Sequence, residues 1–120
     1  MQTDVDLELV RSLANFRRAM RGFLSASEGI SKAAGVTAVQ YQAMVAICAW
    51  DGPMAVGDLA GQLMLTHSAA VQMVQRLIAM KLVRRDVAGE DRRVVLVALT
   101  SEGARLLKTL AHSHRDELLR

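Results

Sequence analysis

The chain has 120 residues and a formal net charge of +3, and 52% of it is apolar, with Phe16, Phe23, Tyr41 and Trp50 as its aromatic residues. That length carries one domain with a modest core and excludes two independent ones, and a core drawn from Leu, Val, Ala and Met favours packed helices over a sandwich or barrel. No apolar run approaches the roughly 18 residues of a membrane span, and the acidic start Met1-Gln2-Thr3-Asp4-Val5-Asp6 is the reverse of a signal peptide, so a cytoplasmic protein is expected.

In chain order, the apolar positions Leu9, Leu13, Phe16, Met20, Phe23 and Ile30 recur in steps of three and four, with Ser27 filling one slot. This period predicts a long helix with a single apolar seam, and Arg11, Arg17, Arg18 and Arg21 lie off it. Such a helix at the start of a small domain is expected to bury its seam against another subunit, the alternative being packing on its own domain alone. Thr37-Ala38-Val39-Gln40 then forms a capping box, opening a helix that should end near Trp50 because Asp51-Gly52-Pro53 is a turn and stop signal. Tyr41, Met44, Val45 and Cys48 are expected to share one face of it. Cys48, the single cysteine, is thereby read as a small core residue; one thiol excludes an internal disulfide and a multi-cysteine zinc site.

The segment from Met54 to Thr100 is the most informative. Val56, Leu59, Ala60 and Leu63 give the inward face of a short helix, and Thr66 can cap a second one running to about Met80. On that second helix Ala70, Val71, Val74, Leu77 and Ile78 point inward, while Ser68, Ala69, Gln72 and Arg76 point out. Two β-prone runs follow, Leu82-Val83-Arg84-Arg85 and Arg93-Val94-Val95-Leu96-Val97, with the charged loop Asp86 to Asp91 and then Arg92 between them. Two helices joined by a tight turn and trailed by a basic hairpin suit insertion of one helix into a DNA groove, with arginines of the hairpin tip in the minor groove. Asp91 would be repelled by phosphate, so it is read as pairing with a neighbouring arginine to set the tip geometry. The charge distribution agrees: residues 1–64 carry five basic and six acidic groups, residues 65–100 six and three, and residues 101–120 four and three.

Thr100-Ser101-Glu102 starts a last helix, with Thr100 as cap and Glu102 favourably placed against the dipole. Leu106, Leu107, Leu110, Ala111 and Leu118 give it an apolar side that would pair with the first helix. His112, His114 and Asp116 do not form a chelate, because residues two apart on a helix do not face each other, and they are read as a solvated end. No phosphate-binding glycine loop, nucleophile pair or metal-spaced cluster is present, which argues against an enzyme and implies no cofactor. The seven methionines are read as core filler.

Taken in order, Val36-Thr37-Ala38-Val39-Gln40, Val56-Gly57-Asp58-Leu59-Ala60, Leu82-Val83-Arg84-Arg85, Asp91-Arg92-Arg93 and Leu99-Thr100-Ser101-Glu102-Gly103 resemble the multiple-antibiotic-resistance regulator (MarR) family over about residues 36–107. The resemblance implies a mostly α fold with a small β-hairpin wing: a winged helix-turn-helix core over residues 36–100 flanked by dimerisation helices over residues 1–34 and 101–120. It implies a homodimer that binds double-stranded DNA at a pseudo-palindromic operator, usually as a repressor, with no membrane partner. Many members bind small aromatic or anionic ligands between the dimer and DNA-binding regions. Carried over by position, the DNA-facing residues are Thr66, His67, Ser68, Ala69, Gln72 and Arg76 on the recognition helix and Arg92 on the wing, with Arg85 and Arg93 supporting it. Two departures stand out. Lys81 occupies a place where the family commonly has glycine, so a left-handed helix end there would cost roughly 1 kcal/mol or the helix would end differently. The chain also stops at Arg120, roughly a helix short of the usual length. A winged-helix module that contacts protein instead of DNA remains the alternative, and the outward arginines weigh against it, since protein-binding faces more often present apolar anchors.

Overall fold

The computed structural model describes residues 4–86 and 93–119. Its elements run α1 (Leu7–Ala33), α2 (Ala38–Ala49), β1 (Met54–Ala55), α3 (Val56–Leu63), α4 (His67–Ala79), β2 (Val83–Asp86), β3 (Leu96–Leu99) and α5 (Ser101–Leu118). Four of the five helices open on a polar side chain that accepts a backbone N–H: Asp6 from Leu9, Thr37 from Gln40, Thr66 from Ala69 and Thr100 from Gly103. The expected capping box closes in both directions, since Gln40 Oε1 also accepts from the Thr37 N–H at 2.9 Å. The mostly helical fold with a β wing is therefore as the sequence implies.

The three strands form one antiparallel sheet in the order β1-β3-β2. Val97 sits at its centre, opposite both Met54 and Arg85, and is fully buried. The two expected hairpin strands are displaced toward the C terminus. Arg93 and Val94 precede β3, because the ladder ends at the Asp86–Leu96 pair. The short strand β1 has no counterpart in the sequence reading, since two residues after Pro53 carry no alternation.

The core joins Ala43, Met44 and Ile47 of α2 to Leu59 of α3, Val74 and Leu77 of α4, Val83 and Val97 of the sheet, and Leu107 and Leu110 of α5. Cys48 is exposed, contrary to expectation. The buried face of α2 is centred on Ala43 and Ile47, about a third of a turn from the Tyr41–Cys48 face, at roughly 100° per residue. The last helix differs in a similar way. Gly103, Leu107, Leu110 and His114 line its inner side, whereas Ala111 and Leu118 are exposed. His114 thus belongs to the buried seam and not to a solvated end. On α1 the seam is covered only toward the C-terminal end, where Ser27 and Ser31 are buried; Leu9, Leu13, Phe16 and Met20 are 42–65% exposed within the single chain.

Candidate nucleic-acid interface

Helices α3 and α4 are joined by the turn Met64-Leu65-Thr66. Met64 takes a left-handed conformation (φ 55°), its N–H and that of Leu65 bonding back to Gly61 and Ala60. The last turn of α3 is closed in this way while the chain reverses into α4. Thr66 then caps α4, whose buried stripe of Ala70, Val74 and Leu77 holds it against the core. The opposite ridge is wet: Ser68, Gln72, Gln75 and Arg76 are exposed, as is His67 at the N-terminus, and Ala69 is half-buried. The outward face expected from the sequence is therefore present. Gln75 extends it, a position the four-residue step from Ser68 to Gln72 to Arg76 passed over although the three-residue step from Gln72 reaches it.

The wing stands beside this ridge. A groove of about 290 Å³ is walled on one side by His67, Val71 and Gln75 of α4 and on the other by Arg85 of β2 and Arg93 just ahead of β3. The amide-bearing helix and two of the wing arginines thus meet on one side of the protein. Arg84, the alternate residue on β2, points to the other face, where Asp86 holds its guanidinium at 3.3 Å. Arg92 and Asp91 lie outside the described residues, as does the expected pairing at the hairpin tip. A smaller groove of about 240 Å³ on the other flank of α4 is bordered by Ala69, Gln72 and Arg76 and by Thr37 and Gln40 at the start of α2.

The join between α4 and the wing settles how the helix ends at Lys81. This residue does adopt the left-handed conformation (φ 64°); its N–H bonds to Ile78 O at 2.9 Å and that of Leu82 to Leu77 O at 3.0 Å. The helix therefore closes as it would with glycine, with the strain carried by a lysine.

A second cavity, about 650 Å³, opens between α1, α2 and α5 and is walled mainly by apolar side chains such as Phe23, Leu24, Val45 and Leu63. Its polar wall is a node that the sequence reading missed. His114 stacks on Tyr41 with ring centroids 4.3 Å apart and an interplanar angle of 6°, and meets Phe23 edge-on at 6.1 Å. Its Nδ1 lies 2.7 Å from the Leu110 carbonyl oxygen, which can only accept, so in the neutral ring Nδ1 carries the hydrogen. Nε2 then accepts the Ser27 hydroxyl at 2.6 Å. Partial burial pushes the Tyr41 phenol above the ordinary tyrosine value. Among the described residues no cluster of His, Cys, Asp or Glu has the arrangement to hold a metal ion, and no helix is long and apolar enough to cross a membrane.

A helix-turn-helix backed by a three-stranded sheet with an arginine-bearing hairpin defines a winged helix-turn-helix protein. The MarR family model matches residues 34–94, and the chain belongs to that family of transcriptional regulators. An uncharacterised HTH-type transcriptional regulator of Bacillus subtilis (strain 168), YsmB, is 35% identical over 69 residues, a match covering 58% of this chain and 47% of YsmB. The chain thus spans about half the length of the curated relative it matches. Among solved structures, Rv1404 from Mycobacterium tuberculosis superposes with a TM-score of 0.79 at 25% identity, covering 98% of this chain and 80% of that one. A MepR mutant of Staphylococcus aureus, bound to an oligodeoxyribonucleotide, shares the fold with a TM-score of 0.77 at 21% identity over 89% of this chain and 78% of that one.

Proposed function

We propose that this protein is a homodimeric DNA-binding repressor that reads a pseudo-palindromic operator and is released from it by a small aromatic or anionic ligand. The observation that carries the DNA-binding reading is the shared groove: Arg85 and Arg93 border the space that His67 and Gln75 border from α4. One approach of the duplex would place the polar ridge of α4 in the major groove and the wing arginines against the neighbouring backbone or minor groove. Ser68, Gln72 and Arg76 supply the hydroxyl, amide and guanidinium suited to base edges and phosphates, with Thr66, His67 and Ala69 at the entry of the helix. Arg92 joins them by resemblance alone.

The homodimer is supported by the uncovered seam of α1, where Leu13 and Phe16 are 52% and 65% exposed. Two copies joined through the terminal helices would present two recognition helices roughly 34–36 Å apart, one turn of duplex. The α1–α2–α5 cavity offers the ligand an apolar body site with Tyr41, His114 and Arg115 at its polar edge. An occupant there would shift α5 and change the spacing of the recognition helices.

The test is a mobility-shift assay on the DNA immediately upstream of the protein's own coding region. Gln72→Ala is expected to cost about 1–3 kcal/mol at particular base pairs and little at others. Arg93→Ala should weaken all sequences evenly and flatten the salt dependence. Equal weakening by Gln72→Ala on every operator variant would remove it as a base reader. A protein that retards no duplex would leave the protein-interaction module as the reading.

A further inference from the structure

We propose that Thr100 is a positioning residue that fixes the wing against the recognition helix, in addition to capping α5. Its hydroxyl performs two tasks at once. Oγ1 accepts the Gly103 N–H at 3.0 Å, which closes the start of α5, and donates its own hydrogen to the Lys81 carbonyl at 2.6 Å. The Thr100 N–H adds a bond to the Leu82 carbonyl at 3.1 Å. Lys81 and Leu82 are the two residues over which the chain leaves α4 and enters β2. The first turn of α5 is thus fastened to main-chain groups at the root of the wing, and main-chain groups cannot rotate away as side chains do.

The surroundings leave this joint little freedom. Lys81 is already in the left-handed region, and its conformation sets the angle between α4 and β2. Val83 pairs with Leu99 across the sheet, so the residues on either side of the joint are held in register. Gly103 packs directly on the Leu82 peptide, where a Cβ would lie 3.0 Å from the Leu82 carbonyl carbon and closer still to its oxygen. The hydroxyl that bridges Lys81 and Gly103 adds the side-chain link to these backbone restraints, and so helps to hold the angle between α4 and the wing and the placing of Arg85 across the groove from His67 and Gln75. The affinity arm of the test below rests on the DNA-binding reading; the exchange arm does not.

Three variants separate positioning from capping. Thr100→Val keeps the shape and removes the hydroxyl. Thr100→Ser restores both of its bonds. Thr100→Asp can still cap α5 but, as a carboxylate, has no hydrogen to donate to Lys81. In amide exchange of the whole chain, Val and Asp should both speed exchange at Leu82 and Arg84, whose N–H groups are bonded across the joint and the ladder, by about five- to tenfold, with α2 and α3 unchanged and Ser within about twofold of the parent. On a duplex that the parent protein selects from a random pool, Val should bind about five- to tenfold more weakly, at a temperature where circular dichroism shows it fully folded, and Ser should restore affinity. Rescue of the exchange pattern by Asp would reduce Thr100 to a cap and overturn the proposal. So would unchanged exchange, exchange accelerated evenly over all helices, or parental affinity in the folded Val variant. A parent that selects no duplex refutes the DNA-binding reading, and the exchange comparison still decides the role of Thr100.

Discussion

Substituting Gly103 by alanine tests whether α5 and the wing root are in direct backbone contact. Elsewhere in a helix the change is favourable, because alanine is better than glycine by about 1 kcal/mol. At Gly103 the added Cβ would meet three atoms of one peptide unit: the Leu82 oxygen, its carbonyl carbon at 3.0 Å and its Cα at 3.3 Å. None of these can step aside cheaply. The Leu82 oxygen accepts from Thr100 at 3.1 Å, the Leu82 N–H is bound to Leu77 at 3.0 Å, and the Leu82 side chain is only 7% exposed. Relief requires α5 to back away, which stretches the Thr100 bonds to Lys81 and Leu82 at about 1 kcal/mol each and adds overpacking strain of about 1–3 kcal/mol. Against the propensity gain, the net expectation is a loss of about 2–4 kcal/mol, read in urea unfolding at fixed protein concentration. Gly61→Ala is the matched control: a Cβ there meets nothing within 4 Å, so stability should rise by about 0.5–1 kcal/mol. Equal effects of the two substitutions would refute the contact.

Lys81→Gly should stabilise the protein by about 0.5–1 kcal/mol, the left-handed strain relieved less the backbone entropy that glycine adds, and thermal unfolding would show it; a lower midpoint would mean that Lys81 makes a compensating contact. Ser31 is fully buried and its Oγ has no hydrogen-bond partner among the described residues, so Ser31→Ala should be neutral or stabilising by up to about 1 kcal/mol in the same assay. Tyr41 is the chain's single tyrosine, so tyrosinate absorbance reports it alone. Its midpoint should lie above the ordinary value of about 10 in the folded protein and return to it in denaturant. Because the folded value is raised, the associated stability is complete below the unfolded value and declines as pH rises through the folded one. Unfolding should therefore become easier only above about pH 10, and a midpoint at or below the denatured one would contradict the burial of the ring.

What was legible in the sequence followed from local signals. Thr37, Thr66 and Thr100 mark three helix starts because a cap is a contact within four residues, and Ala70, Val74 and Leu77 mark the inward stripe of α4 because Ser68, Gln72, Gln75 and Arg76 lie on the other side. Helix α2 is different. Its sequence from Ala38 to Ala49 is apolar nearly all round, so periodicity could not say which side faced the core, and Cys48 was placed on the wrong one. His114 was obscured by its polarity. Counted by spacing, Gly103, Leu107, Leu110 and His114 form one seam, but a histidine in a seam is recognised only when its partners Ser27 and Tyr41, 87 and 73 positions earlier, are brought to it. The strand limits depended on a third strand, β1, whose two residues have no pattern of their own. The requirement for glycine at position 103 was equally non-local, because the atom that excludes a side chain belongs to Leu82.

These two non-local features lie on the same helix. Gly103 fastens one end of α5 to the root of the wing, and His114, eleven positions on, fastens it to α1 and α2 beside the larger cavity. Eleven residues of helix are about three turns, or roughly 16 Å, and a helix held at both ends by buried contacts turns as a rod instead of bending. On the proposed function, a ligand that separates His114 from Tyr41 or Ser27 would tilt α5, and Thr100 and Gly103 would carry the tilt into the backbone at Lys81 and Leu82. The conserved quantity in such a coupling is a free-energy difference between two arrangements, so it works in both directions: DNA held by α4 and the wing would tighten the His114 node and lower the affinity of the cavity for its ligand by the same factor by which the ligand weakens DNA binding. Thr100→Val, which loosens one end of the rod, should then reduce both effects together and leave ligand affinity in the absence of DNA unchanged.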